Sequence, residues 1–213
     1  GLVTQAVASE TGARIIGICD TPTKVFQEIA HAIEAPAEEC SFDYVGLNHL
    51  GWVREVHWRG RPRLANIWDD EAVLSRVYRT PLFGAAQLSE LKLLPTEYVF
   101  YYESPERAVA NLRAAGSTRA EVIARLTRAL FVELSAGQAD PIGRYERYLA
   151  DGSAGYMQSE SGRSSGSDAP PPAPWAHLTG YDKIALNTIQ AMSRNSNAVI
   201  PLNVLNRGNI PEL

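Results

Sequence analysis

The chain has 213 residues, 45% hydrophobic and 21% charged, an ordinary globular composition with enough apolar material for a sizeable core. Its net charge of −4 argues against a nucleic-acid or anionic-membrane surface, since both need clustered Lys and Arg. No apolar run approaches the ~20 residues of a membrane span, no signal-peptide pattern opens the chain, and two cysteines 21 positions apart make no disulfide framework, so a reducing cytoplasm is expected.

The sequence starts at Gly1 inside a helical pattern and stops at Leu213 just after a strand-like run. Neither end looks like the natural edge of a domain, so residues 1–213 are expected to be an incomplete piece of a longer protein. Leu2 to Glu10 reads as a helix end, with Gly12 as its C-cap. Arg14 to Cys19 is β-branched and apolar, as a buried parallel strand should be. After Thr21-Pro22-Thr23, a helix from Thr23 to Ile33 buries Val25, Phe26, Ile29, Ala30 and Ile33 at spacings of three and four. Phe42 to His49 returns as a strand, so the stretch from Arg14 has the size of a βαβ unit. In such sheets the reactive groups sit where strands end, and this places Cys19, Asp20, Asn48 and His49 on one expected rim.

Gly51 to His57 continues extended towards a turn at Arg59-Gly60-Arg61-Pro62. Short helices are expected over 68–94, broken at Pro81, and then a helix over Thr96 to Tyr102 on which Tyr98, Tyr101 and Tyr102 share a face. Glu106 to Ala115 is a helix ended by Gly116. Thr118 and Glu121 resemble a capping box opening a long helix through Leu134. A short helix over Pro141 to Leu149 precedes a Ser-, Gly- and Pro-rich mobile loop over 159–175. Tyr181 to Arg194 is a final helix and Asn197 to Val204 a final strand.

The chemistry-bearing residues each carry two readings. Cys19 is either a small buried hydrophobe or a thiolate ligand. With His49 it supplies the sulfur and nitrogen donors that divalent transition metals accept. Asp20 is either the cap of the following helix or a general acid beside a metal. Tyr98 belongs either to the core or to the site, and a tyrosine serves as a base only where a cation or metal lowers its pKa from about 10. Arg119, near a helix start, is either a solvated side chain or an anion holder. Cys40 is read as structural, and His31, His57 and His177 carry no assigned role.

The runs Gly1 to Ala6, Gly17-Ile18-Cys19-Asp20-Thr21-Pro22, Gly46-Leu47-Asn48-His49, Leu94-Pro95-Thr96-Glu97-Tyr98 and Asn206-Arg207-Gly208 resemble, in order, the motifs of glycoside hydrolase family 4. These are the NAD- and metal-dependent 6-phospho-glycosidases. Each motif alone is weak; five in order, with 30 positions from Cys19 to His49, are specific.

The resemblance implies a mixed α/β (α+β) fold like the C-terminal region of family 4 glycosidases and of lactate and malate dehydrogenases, with residues 1–213 part of one catalytic, substrate- and metal-binding domain, incomplete at both ends. It implies Cys19 and His49 as ligands of a divalent metal, usually Mn²⁺, and Tyr98 as the base that takes the sugar C2 proton. Asp20 is then the acid, with Asn48 and Arg119 at the phosphosugar. The implied reaction is NAD-dependent oxidation at C3, metal-assisted C2 deprotonation and elimination, an exception to the usual two-carboxylate scheme. The family's Gly-rich dinucleotide fold precedes the position of Gly1. The expected substrate is a phosphorylated disaccharide or glucoside, and the expected assembly a dimer or tetramer.

The branch is divided. An Asp after the metal Cys is typical of α-acting members, while the closing Leu202 to Gly208 is more like the β-acting ones, which makes 6-phospho-β-glucosidase the expectation. A plain hydroxyacid dehydrogenase would use a His with an Arg and need no Cys. A non-catalytic sugar-phosphate-binding or oligomerisation domain is the alternative from another class.

Overall fold

The computed structural model describes residues 2–78, 82–137, 140–162 and 180–206. Helix α1 (Leu2–Thr11) ends at Gly12, and α2 (Thr21–Ala32) begins with Pro22 in its first turn, where a missing N–H costs nothing. The sheet follows: β1 (Cys40–Leu47), β2 (Leu50–Trp58) and β3 (Arg61–Pro62). Helices α3 (Glu71–Val77) and α4 (Ala85–Leu91) lead to β4 (Leu94–Pro95) and a 3-10 turn over Glu97–Val99. Then come α5 (Phe100–Glu103), α6 (Pro105–Ala115), α7 (Arg119–Ser135), α8 (Pro141–Ala154) and α9 (Gln158–Ser161). Helix α10 (Tyr181–Arg194) follows. The architecture is mixed α/β, as expected. No described helix is long and apolar enough to cross a membrane.

The described residues form two compact units: 2–78, 84–99 and 180–206 make a sheet-bearing unit, and 82–83, 100–137 and 140–162 a helical one. In the first, β1 and β2 are an antiparallel hairpin with β3 and β4 both on β2. A register shift after Asp43 makes Arg54 the extra residue of a bulge, and its guanidinium pairs with Asp43 at 3.1 Å through two hydrogen bonds. The bulge shifts the in–out alternation by one residue: Gly51 and Val53 are buried before it, and Val56 after it. On α2, Val25, Ile29, Ala30 and Ile33 are buried as the periodicity requires, and Phe26 stacks on Phe42 of β1 at 4.2 Å.

In the helical unit, Thr118 and Glu121 complete the expected capping box. Phe100 is fully buried beneath the Arg107 guanidinium, 4.9 Å from its ring, and α9 is tied to α6 where Asn111 donates to the Glu160 carbonyl at 2.8 Å.

Four expectations are corrected. Arg14 to Cys19 is not a parallel strand and forms no βαβ unit: among the described residues the segment pairs only at Gly17, which exchanges two 2.8 Å backbone bonds with Asn203 in antiparallel sense. The partner of β1 is β2, because a two-residue connection permits only antiparallel pairing. By the same measure Asn197 to Val204 is no strand, with Val199 96% exposed. A β-prone run becomes a strand only where a neighbour satisfies its backbone. The single helix expected over Thr96 to Tyr102 is instead a 3-10 turn over Glu97–Val99 followed by α5 from Phe100, so one 3.6-residue period does not run through it. Pro141 to Leu149 extends to Ala154, and of the loop expected over 159–175, residues 159–161 are helical while 163–175 lie outside the described residues, as does Pro81.

Candidate active site

Cys19 ends the extended segment and is 7% exposed; Asp20 follows as the N-cap of α2. The Asp20 side chain makes no capping hydrogen bond. Instead the Tyr181 hydroxyl, at the start of α10, donates to its carboxylate. Partial burial, the Asp20, Cys19 and Tyr98 side chains and that hydrogen bond together hold the Tyr181 phenol above its ordinary pKa. The Tyr44 phenol is also raised, first by burial and then by Cys19. Its hydroxyl lies over Gly51, where any Cβ would collide with it.

Asn48 and His49 form the exposed tip of the β1–β2 hairpin, not the end of a parallel strand. His49 has φ 64°, a left-handed conformation in which His, though enriched relative to most residues, is uncommon. The preceding Gly46, at φ 115°, has no room for a Cβ against the Leu50 carbonyl, so the tip geometry depends on it. Asn203 donates its side-chain amide to the side-chain Oδ1 of Asn48 at 3.4 Å, linking the closing segment to the tip.

Tyr98 comes to this corner through a different set of contacts. Pro95 and Leu94 pair with Trp52 and Val53, and the Thr96 N–H donates to the Gly51 carbonyl at 2.8 Å. The buried Tyr78 hydroxyl donates to the Pro95 carbonyl at 2.6 Å. So held, Tyr98 stacks on His49 with ring centroids 4.1 Å apart and planes 20° from parallel.

Cys19, Asp20, Tyr98 and Tyr181 thus share an electrostatic neighbourhood, and His49 joins it through the stack. A thiol and an imidazole are a fitting donor pair for a divalent transition metal. Among the described residues no three His, Cys, Asp or Glu side chains converge as a larger metal-binding group. Arg119 lies in the helical unit at the start of α7, with its guanidinium 5.7 Å over Tyr156 and a buried Nη1 that has no hydrogen-bond partner among the described residues.

Sequence reasoning missed Tyr44 and Tyr181. Tyr44 carries the signature of any half-buried strand aromatic. Tyr181 stands 161 positions after Asp20 with no motif to join them.

The chain is 29% identical over 143 residues to a 6-phospho-beta-glucosidase of Escherichia coli (strain K12), covering 62% of this chain and 32% of that protein. To a 6-phospho-beta-glucosidase of Thermotoga maritima it is 22% identical over 118 residues, 55% of this chain and 28% of the relative. Among solved structures, it is similar to the Thermotoga maritima 6-phospho-beta glucosidase with manganese, NAD⁺ and glucose-6-phosphate (TM-score 0.62, 19% identity, covering 100% of this chain and 43% of that one). A 6-phospho-alpha-glucosidase from gut microorganisms in complex with NAD and Mn²⁺ is similar to the same degree (TM-score 0.61, 19% identity, 99% of this chain and 46% of that one). The chain spans about a third of the length of the curated relatives and under half of the solved chains. The likenesses to the solved structures show the fold. Since residues 44–213 match the Family 4 glycosyl hydrolase C-terminal domain, the chain belongs to that family.

Proposed function

We propose that this chain is the substrate- and metal-handling portion of an NAD- and manganese-dependent 6-phospho-β-glucosidase. The observation that carries the reading is the stack of His49 on Tyr98 at 4.1 Å. It joins a metal-competent imidazole to the one tyrosine that sits in the Leu-Pro-x-x-Tyr motif.

In this reading Cys19 and His49 hold the metal, which when bound polarises the sugar's oxygens as a Lewis acid. Tyr98 removes the proton from sugar C2. That proton is acidic enough only when C3 is at the ketone level, the oxidation that a nicotinamide supplies. No two glycines in the sequence stand two positions apart, so no glycine-rich dinucleotide turn is present and no step on these residues is routed through NAD. Asp20, oriented by Tyr181 rather than spent on its helix, donates a proton to the leaving oxygen at C1. Asn48 borders the sugar, and Arg119 is the phosphate holder, with a guanidinium nitrogen that has no hydrogen-bond partner among the described residues.

One observation favours a second reading, 6-phospho-α-glucosidase. Asp20 is free of its capping duty, and an Asp directly after the metal Cys is the mark of the α-acting branch. The two readings part in one assay. The full-length protein, with NAD⁺, Mn²⁺ and reductant, is given paired p-nitrophenyl α- and β-glucoside 6-phosphates, with the unphosphorylated sugars as controls. Cleavage of the β-6-phosphate alone, lost with chelator or without NAD⁺, is the expected result. Cleavage of the α-anomer moves the assignment to the α branch. No cleavage of either 6-phosphate sinks the glucosidase reading and favours a sugar-phosphate-binding domain.

A further inference from the structure

The geometry points to Lys24 and Glu97 as a positioning pair that sets the spacing between the Cys19–Asp20 corner and Tyr98. Their side chains meet at 2.9 Å, Nζ to Oε2, with the Glu97 side chain 7% exposed and that of Lys24 31%. Lys24 is fixed to the corner because its N–H donates to the Asp20 carbonyl at 2.9 Å, the first turn of α2. Glu97 is the residue before Tyr98 in the 3-10 turn.

Other anchors of that turn run to the sheet and to Tyr78. Thr96 bonds Gly51 of β2, Pro95 pairs with Trp52, and Tyr78 holds the Pro95 carbonyl. They fix Tyr98 to the sheet and so beside His49. The ion pair adds the link to α2, and hence to Asp20 and Cys19. Glu97 and Glu28 both face the buried Tyr78 phenol, whose pKa they raise together with burial. Two carboxylates in one apolar region make a compensating ammonium at Glu97 worth keeping. The pair acts through Tyr98: Lys24 touches Glu97, not the sugar. Because misplacement by about 1 Å costs up to ~10²-fold in rate, a link of this kind matters more to turnover than to binding.

The inference rests on the proposed role of Tyr98, so the test has one arm that needs no activity. Removing Lys24 alone takes the ammonium from the buried Glu97 carboxylate and threatens the fold. The variant is therefore the double Lys24→Met/Glu97→Gln, made in the full-length protein, with Lys24→Arg as the charge-conserving control. In the metal-free protein, the His49 ring protons, identified by a His49→Gln spectrum, are shifted by the Tyr98 ring above them. In the double variant they should move towards the position of an exposed histidine, and in Lys24→Arg stay near the wild type. On the cleaved p-nitrophenyl glucoside 6-phosphate, kcat should fall about 10- to 100-fold with KM little changed and Mn²⁺ affinity kept, and the isotope effect from deuterium at C2 should rise. A purely structural role lowers the yield of folded enzyme and leaves that isotope effect where it was. Unmoved His49 resonances in the folded double variant, or an unchanged kcat and C2 isotope effect, overturn the pair. Should the wild-type enzyme cleave neither anomer, the proposed function fails, and the His49 spectrum still decides the positioning.

Discussion

In the sheet-bearing unit, Val25, Ile29, Val53, Val56 and Leu94 are at most 1% exposed, whereas in the helical unit α7 runs for 17 residues without one buried side chain. Phe131 and Val132 of α7 are each 64% exposed. Both units contain well-formed helices, but for different reasons. Helix α2 forms because its apolar stripe has a sheet to cover, with Phe26 on Phe42 as the visible contact. Helix α7 is held by its Thr118–Glu121 box and by polar contacts to the neighbouring α8, an ion pair from Glu133 to Arg144 and the hydroxyls of Thr127 and Tyr148 at 3.2 Å. Every candidate site residue but Arg119 belongs to the first unit. Tight burial is what brings residues remote in sequence to one corner; a cap and polar contacts to the next helix in the chain do not reach so far.

The comparison is broken or sharpened by substitution. The largest effect is expected at Cys19. In the full-length enzyme, Cys19→Ser should lose Mn²⁺ uptake and cut turnover by roughly 10²-fold or more, with both measured on the same preparation; retained metal would remove Cys19 from the ligand set. Tyr98→Phe should lower kcat by about 10²- to 10⁴-fold while metal titration stays at wild-type affinity. Unchanged turnover takes Tyr98 out of the mechanism.

The contrast in burial is tested next. Ile29→Ala should cost about 2–5 kcal/mol in denaturant unfolding, and Phe131→Ala less than about 0.5 kcal/mol. Equal losses would show that α7 is covered as firmly as α2. A pH effect follows from Tyr78, whose buried phenol lies well above its ordinary 10.0. A tyrosine with a raised folded pKa contributes stability that is complete below its unfolded value and lost as pH rises through the folded one. Stability should therefore drop above about pH 10, by roughly 1.4 kcal/mol per pH unit from this group, and Tyr78→Phe should flatten that slope. The smallest effect is at the helix cap: Thr118→Ala should cost about 1 kcal/mol, read as increased amide exchange in the first turn of α7.

Local rules made much of the chain legible. The apolar spacing of Val25, Ile29, Ala30 and Ile33, the glycines at 12 and 116, the Thr118–Glu121 box and the bounds of α10 depend on residues within a turn or two of one another. The motif order from Cys19 to Asn206 was likewise readable, and it identified the family. Pairing was not. Arg14 to Cys19 and Asn197 to Val204 are equally strand-like in composition, yet they meet at a single bridge, because a ladder depends on which distant backbone arrives beside it. The corner itself was decided the same way. Sequence placed Asn48 and His49 on a strand end, whereas a two-residue hairpin and the left-handed turn at His49 present them at a tip. Tyr181, Tyr44 and the Lys24–Glu97 pair entered only with the tertiary structure. Their partners lie 25 to 161 positions away, and no local periodicity carries information over that separation.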